Sequence, residues 1–277
     1  MSAKVDMVKN GSLTLNCVFW GPEDAPPVLL LHGLRAYAHW FDDFADVAKD
    51  RFRLIALDQR GRGAPGWASD GRYDTDSYVA DIDCVANAFH LDRFAIVGHS
   101  MGGTNATNYA AAHPDRISAL VIVDSAPELD PAGLGRIRSE LAVTPKGFPD
   151  RATARSFLRT MHIRASDASI ETRLDWMLIA DGQGALTWRI DPAIFDPKMT
   201  PDSPERSWKA LRSVKCPTLV VRGSLSDLVT SACADRMVDK LASGFRAEVP
   251  NAAHMVLEDN PEGFNAVALP FLDRVLL

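Results

Sequence analysis

Short apolar runs recur along this chain with little alternation: VLLLH at 28–32, RLIALD at 53–58, FAIVG at 94–98, ALVIVD at 119–124 and PTLVVRG at 217–223. A strand with water on one side alternates polar and apolar residues, so runs of this kind need cover on both faces. Helical spacing fills the gaps between them. Trp40, Phe41, Phe44 and Val47 form one apolar set, and Val79, Ile82, Ala86 and Phe89 form another that Asp74 or Thr75 is placed to cap. A helix from Ser100 to about His113 is closed by Pro114. LTLNCVFW at 13–20 adds a strand in front. A helix near 231–241, a short strand near 245–249 and a helix from Pro261 follow at the end. Strands alternating with helices specify the α/β class: a doubly wound, mostly parallel sheet.

The alternation stops between 127 and 211, where only helical segments and proline-rich connectors such as PKGFP and MTPDSP are read. The expectation is one core domain, residues 1–126 and 212–277, carrying a helical cap at 127–211. A chain of 277 residues buries a large core without disulfides. Its four cysteines, Cys17, Cys84, Cys216 and Cys233, are scattered with no CxxC pair, so neither zinc nor a disulfide framework is expected. A net charge of -6 argues against nucleic acid, whose phosphates need a basic face. The first residues lack an apolar signal region, and no apolar run approaches membrane-spanning length. The expected setting is cytoplasmic, with no membrane partner, no metal and no cofactor, in a monomer or homodimer.

The chemistry is expected at Gly98-His99-Ser100-Met101-Gly102, which fits G-x-S-x-G between a strand and a helix. A serine on so sharp a turn is held in a strained backbone conformation, and its neighbours two before and two after must be nearly free of side chain. A phosphate-binding loop fits poorly: G-x-x-x-x-G-K-[ST] is absent, no lysine lies near, and this strand is not the first of the sheet. A serine nucleophile needs a base oriented by an acid. His254, in the loop of EVPNAAHMVLEDNP, stands late in the chain where this order of residues requires the base. His113, ending the elbow helix, and His162, inside the insertion, are set aside. Two aspartates compete as the acid: Asp227 in RGSLSDLV, which is favoured, and Asp124 in VIVDSAP. The oxyanion donors are expected to be the backbone N–H groups of Met101 and of Leu34, with Gly33 leaving room for the substrate.

These pieces together resemble the α/β-hydrolase superfamily, in its small, capped, esterase-like branch. The matching runs are LLLHGL (29–34), LDQRGRG (57–63), VGHSMGG (97–103), VDSAP (123–127), RGSLSD (222–227) and AAHMVLEDNP (252–261). The resemblance implies Ser100 as nucleophile, His254 as base, Asp227 as acid, and Leu34 and Met101 as oxyanion donors. Glu258 and Pro261 match the H-x-x-x-E-x-x-P run that often follows the family's histidine. Dehalogenases and epoxide hydrolases of this fold carry aspartate at the Ser100 position, and iminopeptidases carry HGGPG where HGLRA stands here. A similar group of amide hydrolases, acting on ring-opened vitamin B6 products, shares the DQRG run and takes its acid after the VxxD strand, which keeps Asp124 in play.

The cap is expected to close over Ser100. Gly33, Arg35 and Met255 are candidate pocket residues from the core, and Trp176 and Trp188 from the cap. Arg35 either meets a substrate carboxylate or pairs with a nearby acid such as Asp42. The expected function is cofactor-free hydrolysis of small carboxylic esters through an acyl-enzyme. Amide or carbon–carbon hydrolysis of a small acid, perhydrolase or cofactor-free haloperoxidase activity, and ligand reception without catalysis are the alternatives.

Overall fold

The computed structural model describes residues 3–63, 67–195 and 202–277. Its main sheet takes β1 (Lys4–Asn10), β2 (Leu13–Trp20), β3 (Pro27–Leu31), β4 (Arg53–Leu57), β5 (Phe94–His99) and β6 (Ile117–Val123) from the first half of the chain. The excursion holds three short strands, β7 (Gly147–Phe148), β8 (Leu178–Ala180) and β9 (Leu186–Trp188); β10 (Thr218–Gly223) and β11 (Gly244–Val249) then complete the main sheet. The eight main strands lie in the order β1-β2-β4-β3-β5-β6-β10-β11. All neighbours from β4 to β11 are parallel, while β2 runs antiparallel to both β1 and β4. β1 was not anticipated from the sequence; its first residues are exposed and it lacks an apolar run.

The apolar runs behave as their composition requires. Along β3, Val28 and Leu30 enter one core cluster, while Leu29 and Leu31 enter the other. Helices α1 (Asp42–Ala48) and α10 (Pro261–Leu276) cover the first face through Phe44, Ala45, Phe264 and Phe271. On the second face lie α2 (Thr75–Ala88) and α3 (Met101–Ala112), then α7 (Pro204–Ser213) and α8 (Ser231–Lys240). Asp74 caps α2 by accepting from the Ser77 N–H at 2.9 Å, so of the two expected caps the aspartate serves.

Between β6 and α7 the chain leaves the sheet. Helices α4 (Pro131–Val143), α5 (Arg151–Met161) and α6 (Asp167–Met177) join the three-stranded sheet β7-β9-β8. The sequence reading of this stretch as purely helical is corrected, since strands of two or three residues are too short to carry a period. Phe148, Leu158, Ile170 and Leu174 make a small core of their own. Helix α7 behaves differently: Trp208 and Leu211 sit in the second core cluster. The helical segment up to 211 thus includes one element that packs with the sheet.

Topology fixes where a site belongs. From β3 the chain crosses to β4 on one side, whereas β5 lies on the other. Ligands of open α/β sheets bind at the carboxyl ends of strands flanking such a reversal. Leu31 of β3 pairs with Gly98 of β5. The loop at His32–Leu34 therefore emerges beside Ser100.

Candidate active site

Ser100 is the N-cap of α3, with φ 53° and ψ -121°. A non-glycine residue in this region is strained by about 1–3 kcal/mol and persists only where its surroundings hold it. Here the Ser100 N–H donates to the Val123 carbonyl at 2.9 Å, and its own carbonyl accepts from Gly103 and Thr104 at 2.8 and 3.1 Å. The neighbouring glycines are required by close approach. A Cβ on Gly98 would stand 2.4 Å from the Gly102 carbonyl oxygen, and one on Gly102 would stand 2.1 Å from that of Leu31. Both obstacles are backbone, which a side-chain adjustment cannot clear.

His254 occupies the loop between β11 and the short helix α9 (Val256–Asp259). Its Nδ1 lies 2.8 Å from Oδ2 of Asp124. Asp124 is fully buried, directly after β6, with φ 43°. Its carboxylate also accepts from the Ser226 hydroxyl at 2.8 Å and from the Gly223 N–H at 3.3 Å. With an ionised Asp124, the contact puts the proton on Nδ1 and leaves Nε2 as the imidazole's acceptor. Ser100, His254 and Asp124 line one cavity of about 920 Å³. Among the described residues, no hydrogen bond joins Ser100 Oγ to His254; such contacts often tighten only when substrate binds.

The preference for Asp227 as the partner of His254 is corrected by this geometry. Arg222 stitches the loop after β10, donating to the Val229, Ser226 and Ser224 carbonyls at 2.6, 2.9 and 3.2 Å. In that fold of the loop, Ser226 turns inward to Asp124 and Asp227 turns outward to α4. There Arg136 grips it with two bonds of 2.6 and 2.9 Å. The Asp227 carboxyl is held below its ordinary value, first by the Arg136 hydrogen bonds. Sequence order left both aspartates available; the loop's internal bonding separates them.

The loop after β3 is fixed from below. His32 is buried and donates from Nδ1 to the Gly33 carbonyl at 2.7 Å, while Nε2 accepts from the Gln59 N–H at 3.1 Å. Burial, then the nearby Arg62 charge, keeps this ring neutral. Arg62 donates to the Leu34 carbonyl and, at 2.8 Å, to that of Arg60. Among the described residues, the N–H groups of Leu34 and Met101 have no protein acceptor, and both residues line the cavity. Two free donors at the mouth of a helix N-terminus suit a developing oxyanion. Gly33 lines the cavity, and a Cβ there would lie 2.9 Å from His99 Nδ1 and 3.3 Å from the Ser100 Cβ, so the loop packs against the elbow only with glycine at this position.

Of the other expected pocket residues, Arg35 and Met255 line the cavity, and Trp176 and Trp188 do not. Trp176 stacks on His39 with ring centroids 3.8 Å apart. Trp188 donates its indole N–H to the Pro145 carbonyl at 2.7 Å and packs edge-on against Phe148. Trp188 thus braces the excursion itself, and Trp176 ties it to the core segment that carries His39. His162, set aside on sequence, lines the cavity from the end of α5. Burial, followed by the charge of Arg173, lowers its pKa. His99 stands at the variable position before the elbow serine. It is buried against Trp40 and bonds the His254 carbonyl at 2.8 Å, so it positions the loop that carries His254. Its neutrality follows from burial first and then from His254 nearby.

Among the described residues no cluster of His, Cys, Asp and Glu has the arrangement of a metal site, and no helix is long and apolar enough to cross a membrane. The sequence profile of the alpha/beta hydrolase fold matches residues 26–261. The chain is 28% identical over 264 residues to a 2-(acetamidomethylene)succinate hydrolase of Mesorhizobium japonicum, covering 95% of this chain and 91% of that protein. It is 28% identical over 269 residues to a non-heme chloroperoxidase of Burkholderia pyrrocinia, covering 91% and 94%. The crystal structure of E-2-(acetamidomethylene)succinate hydrolase superposes with a TM-score of 0.87 at 25% identity, covering 98% of this chain and 100% of the other.

Proposed function

This chain belongs to the α/β-hydrolase fold family, and from that premise we propose that it is a serine hydrolase of small carboxylic esters, working through an acyl-enzyme. The observation that carries the reading is the buried Asp124–His254 bond of 2.8 Å in the cavity that Ser100 also lines. His254 Nε2 takes the Ser100 proton as Oγ attacks the substrate carbonyl, and the N–H groups of Leu34 and Met101 stabilise the oxyanion. Collapse expels the alcohol, which receives the proton from His254. Water, deprotonated by the same nitrogen, then releases the acid and restores Ser100. Asp124 holds the tautomer throughout. The segment between β6 and α7 serves as the cap, and the chemistry needs no cofactor.

Two observations favour a second reading, amide hydrolysis. The acid lies after β6, where the similar amide hydrolases take theirs, and a relative spanning nearly the whole chain is named for an acetamido substrate. The cycle is the same, with an amine as the leaving group. Mixing the protein with p-nitrophenyl acetate should release a burst approaching one equivalent of nitrophenol per chain. Ser100→Ala should lose the burst and at least about 10³-fold in kcat, as expected of cooperating residues. Retention of activity within tenfold in that variant would overturn the mechanism. Matched p-nitrophenyl esters and p-nitroanilides on the unsubstituted chain decide between the readings; a kcat/KM at least equal on the anilide selects the amide.

A further inference from the structure

Arg35 directly follows Leu34 and lines the cavity that holds Ser100 and His254. Two structural roles were open to it, and other residues fill both. Asp42, the acid nearest in sequence, is engaged by His39 Nδ1 at 3.0 and 3.2 Å. The Leu34 carbonyl is held by Arg62.

The charges around Arg35 are matched to one another and omit it. Arg173 is fully buried and forms two 2.7 Å bonds to the Glu258 carboxylate. Arg136 binds Asp227 and, at 2.6 Å, Glu140. Glu140 is the acid whose field reaches Arg35 most strongly, yet its carboxylate is bonded to Arg136. Among the described residues Arg35 has no carboxylate within ion-pair distance. Burial lowers its pKa, Glu140 opposes that, and Arg173 adds to it. A partly buried guanidinium without a counter-ion is stabilised when an anion binds beside it.

We propose that Arg35 forms a carboxylate-binding subsite, so that the molecule cleaved at Ser100 is an acyl compound carrying a second, anionic group. The inference rests on the serine-hydrolase reading for its reacting carbonyl and on the cavity wall for its anion. Adjacent Cα atoms lie about 3.8 Å apart, so the Arg35 head group can reach a carboxylate only a few carbons from a carbonyl held by the Leu34 N–H. The substrate class that this proposal names is a half-ester or half-amide of a short dicarboxylic acid. Its planar fork lets arginine take both carboxylate oxygens, which lysine cannot reproduce.

Binding and turnover are tested separately. Monomethyl glutarate is titrated calorimetrically into Ser100→Ala, and into the same protein carrying Arg35→Gln or Arg35→Lys. Affinity should fall by about 10- to 150-fold in Arg35→Gln, the range for a hydrogen bond to a charged group, and less in Arg35→Lys. Affinities within threefold across the three proteins, or no binding to folded Ser100→Ala, overturn the subsite. On the otherwise unsubstituted chain, kcat/KM for mono-p-nitrophenyl glutarate is divided by that for p-nitrophenyl valerate, its neutral analogue of equal carbon number. The ratio should exceed one and fall at least tenfold in Arg35→Gln; an unchanged ratio overturns the proposal. If neither ester is hydrolysed the serine-hydrolase reading fails, and the titration still decides the anion site.

Discussion

The Asp124 carboxylate accepts from three groups: the His254 ring, the Ser226 hydroxyl and the Gly223 N–H. Asn in its place either turns its NH2 to Nδ1, which favours the wrong imidazole tautomer, or turns its carbonyl there and sets the NH2 against the Gly223 N–H. The same change in another Ser-His-Asp enzyme lowers kcat by about 10⁴, and Asp124→Asn should lose roughly 10³-fold or more. Asp227→Asn removes one partner of an ion pair in which both side chains are 39% exposed. Such pairs contribute about 0–1 kcal/mol, so this variant should keep kcat within a few fold. Steady-state kinetics of the two proteins decide the assignment, and the opposite ranking would return the acid to Asp227.

At the scale of elements, the connection that matters is between α6 and α9. Glu258, four residues after His254, accepts from two Arg173 nitrogens at 2.7 Å and from Ser169, with His162 Nδ1 3.4 Å away. The acidic residue of the H-x-x-x-E-x-x-P run thus ties the excursion to the loop bearing the proposed base. Glu258→Gln leaves Arg173 buried without a counter-charge, which costs about 3–5 kcal/mol. At about 2–4 °C per kcal/mol for a chain approaching this size, the fall in Tm is large enough to read directly. Burial raises the Glu258 carboxyl, but the Arg173 charge and hydrogen bonds from His162 and Arg173 outweigh it, leaving the pKa well below its ordinary 4.5. A carboxyl whose folded pKa is depressed stabilises the fold above the unfolded value, and that stability is lost as the pH falls through the folded one. The Tm difference between the two proteins should therefore be full at pH 7 and shrink below about pH 4.5. A gap independent of pH would mean that the charge of Glu258 contributes nothing.

Over the whole molecule, the helices on one face of the sheet and its central strands share a single core cluster, which contains Cys17, Cys216 and Cys233. Cys84 packs at its edge and is half-buried. Burial raises the pKa of all four thiols, so each is a poor thiolate in the folded chain. Labelling with a thiol reagent should modify no more than Cys84 in the native protein. Cys17, Cys216 and Cys233 come from three distant parts of the sequence and should react together, at one rate set by opening of the shared core. Mass spectrometry with increasing denaturant measures this. Early labelling of Cys216 or Cys233 alone would show that the β10–α8 region opens by itself.

The sequence by itself determined the α/β class, because short apolar runs without alternation recur between helical patterns, and the elbow, because G-x-S-x-G reports backbone collisions that are local. It also put His254 in a loop beyond the last strand. What it left open depended on contacts between residues far apart. Asp124 and Asp227 both follow neighbouring strands, and it is the bonding of Arg222 within the β10 loop that turns Ser226 inward to Asp124 and Asp227 outward to Arg136. Arg173 reads as one of many cap charges until Glu258, 85 positions later, is found against it. Trp176 and Trp188 look like pocket walls by size, yet their faces are taken by His39 and Phe148. Strand period and tight turns are written in neighbouring residues; which charge meets which is decided by the tertiary structure, since ion pairs and ring stacks follow distance in space and carry no signature in spacing along the chain.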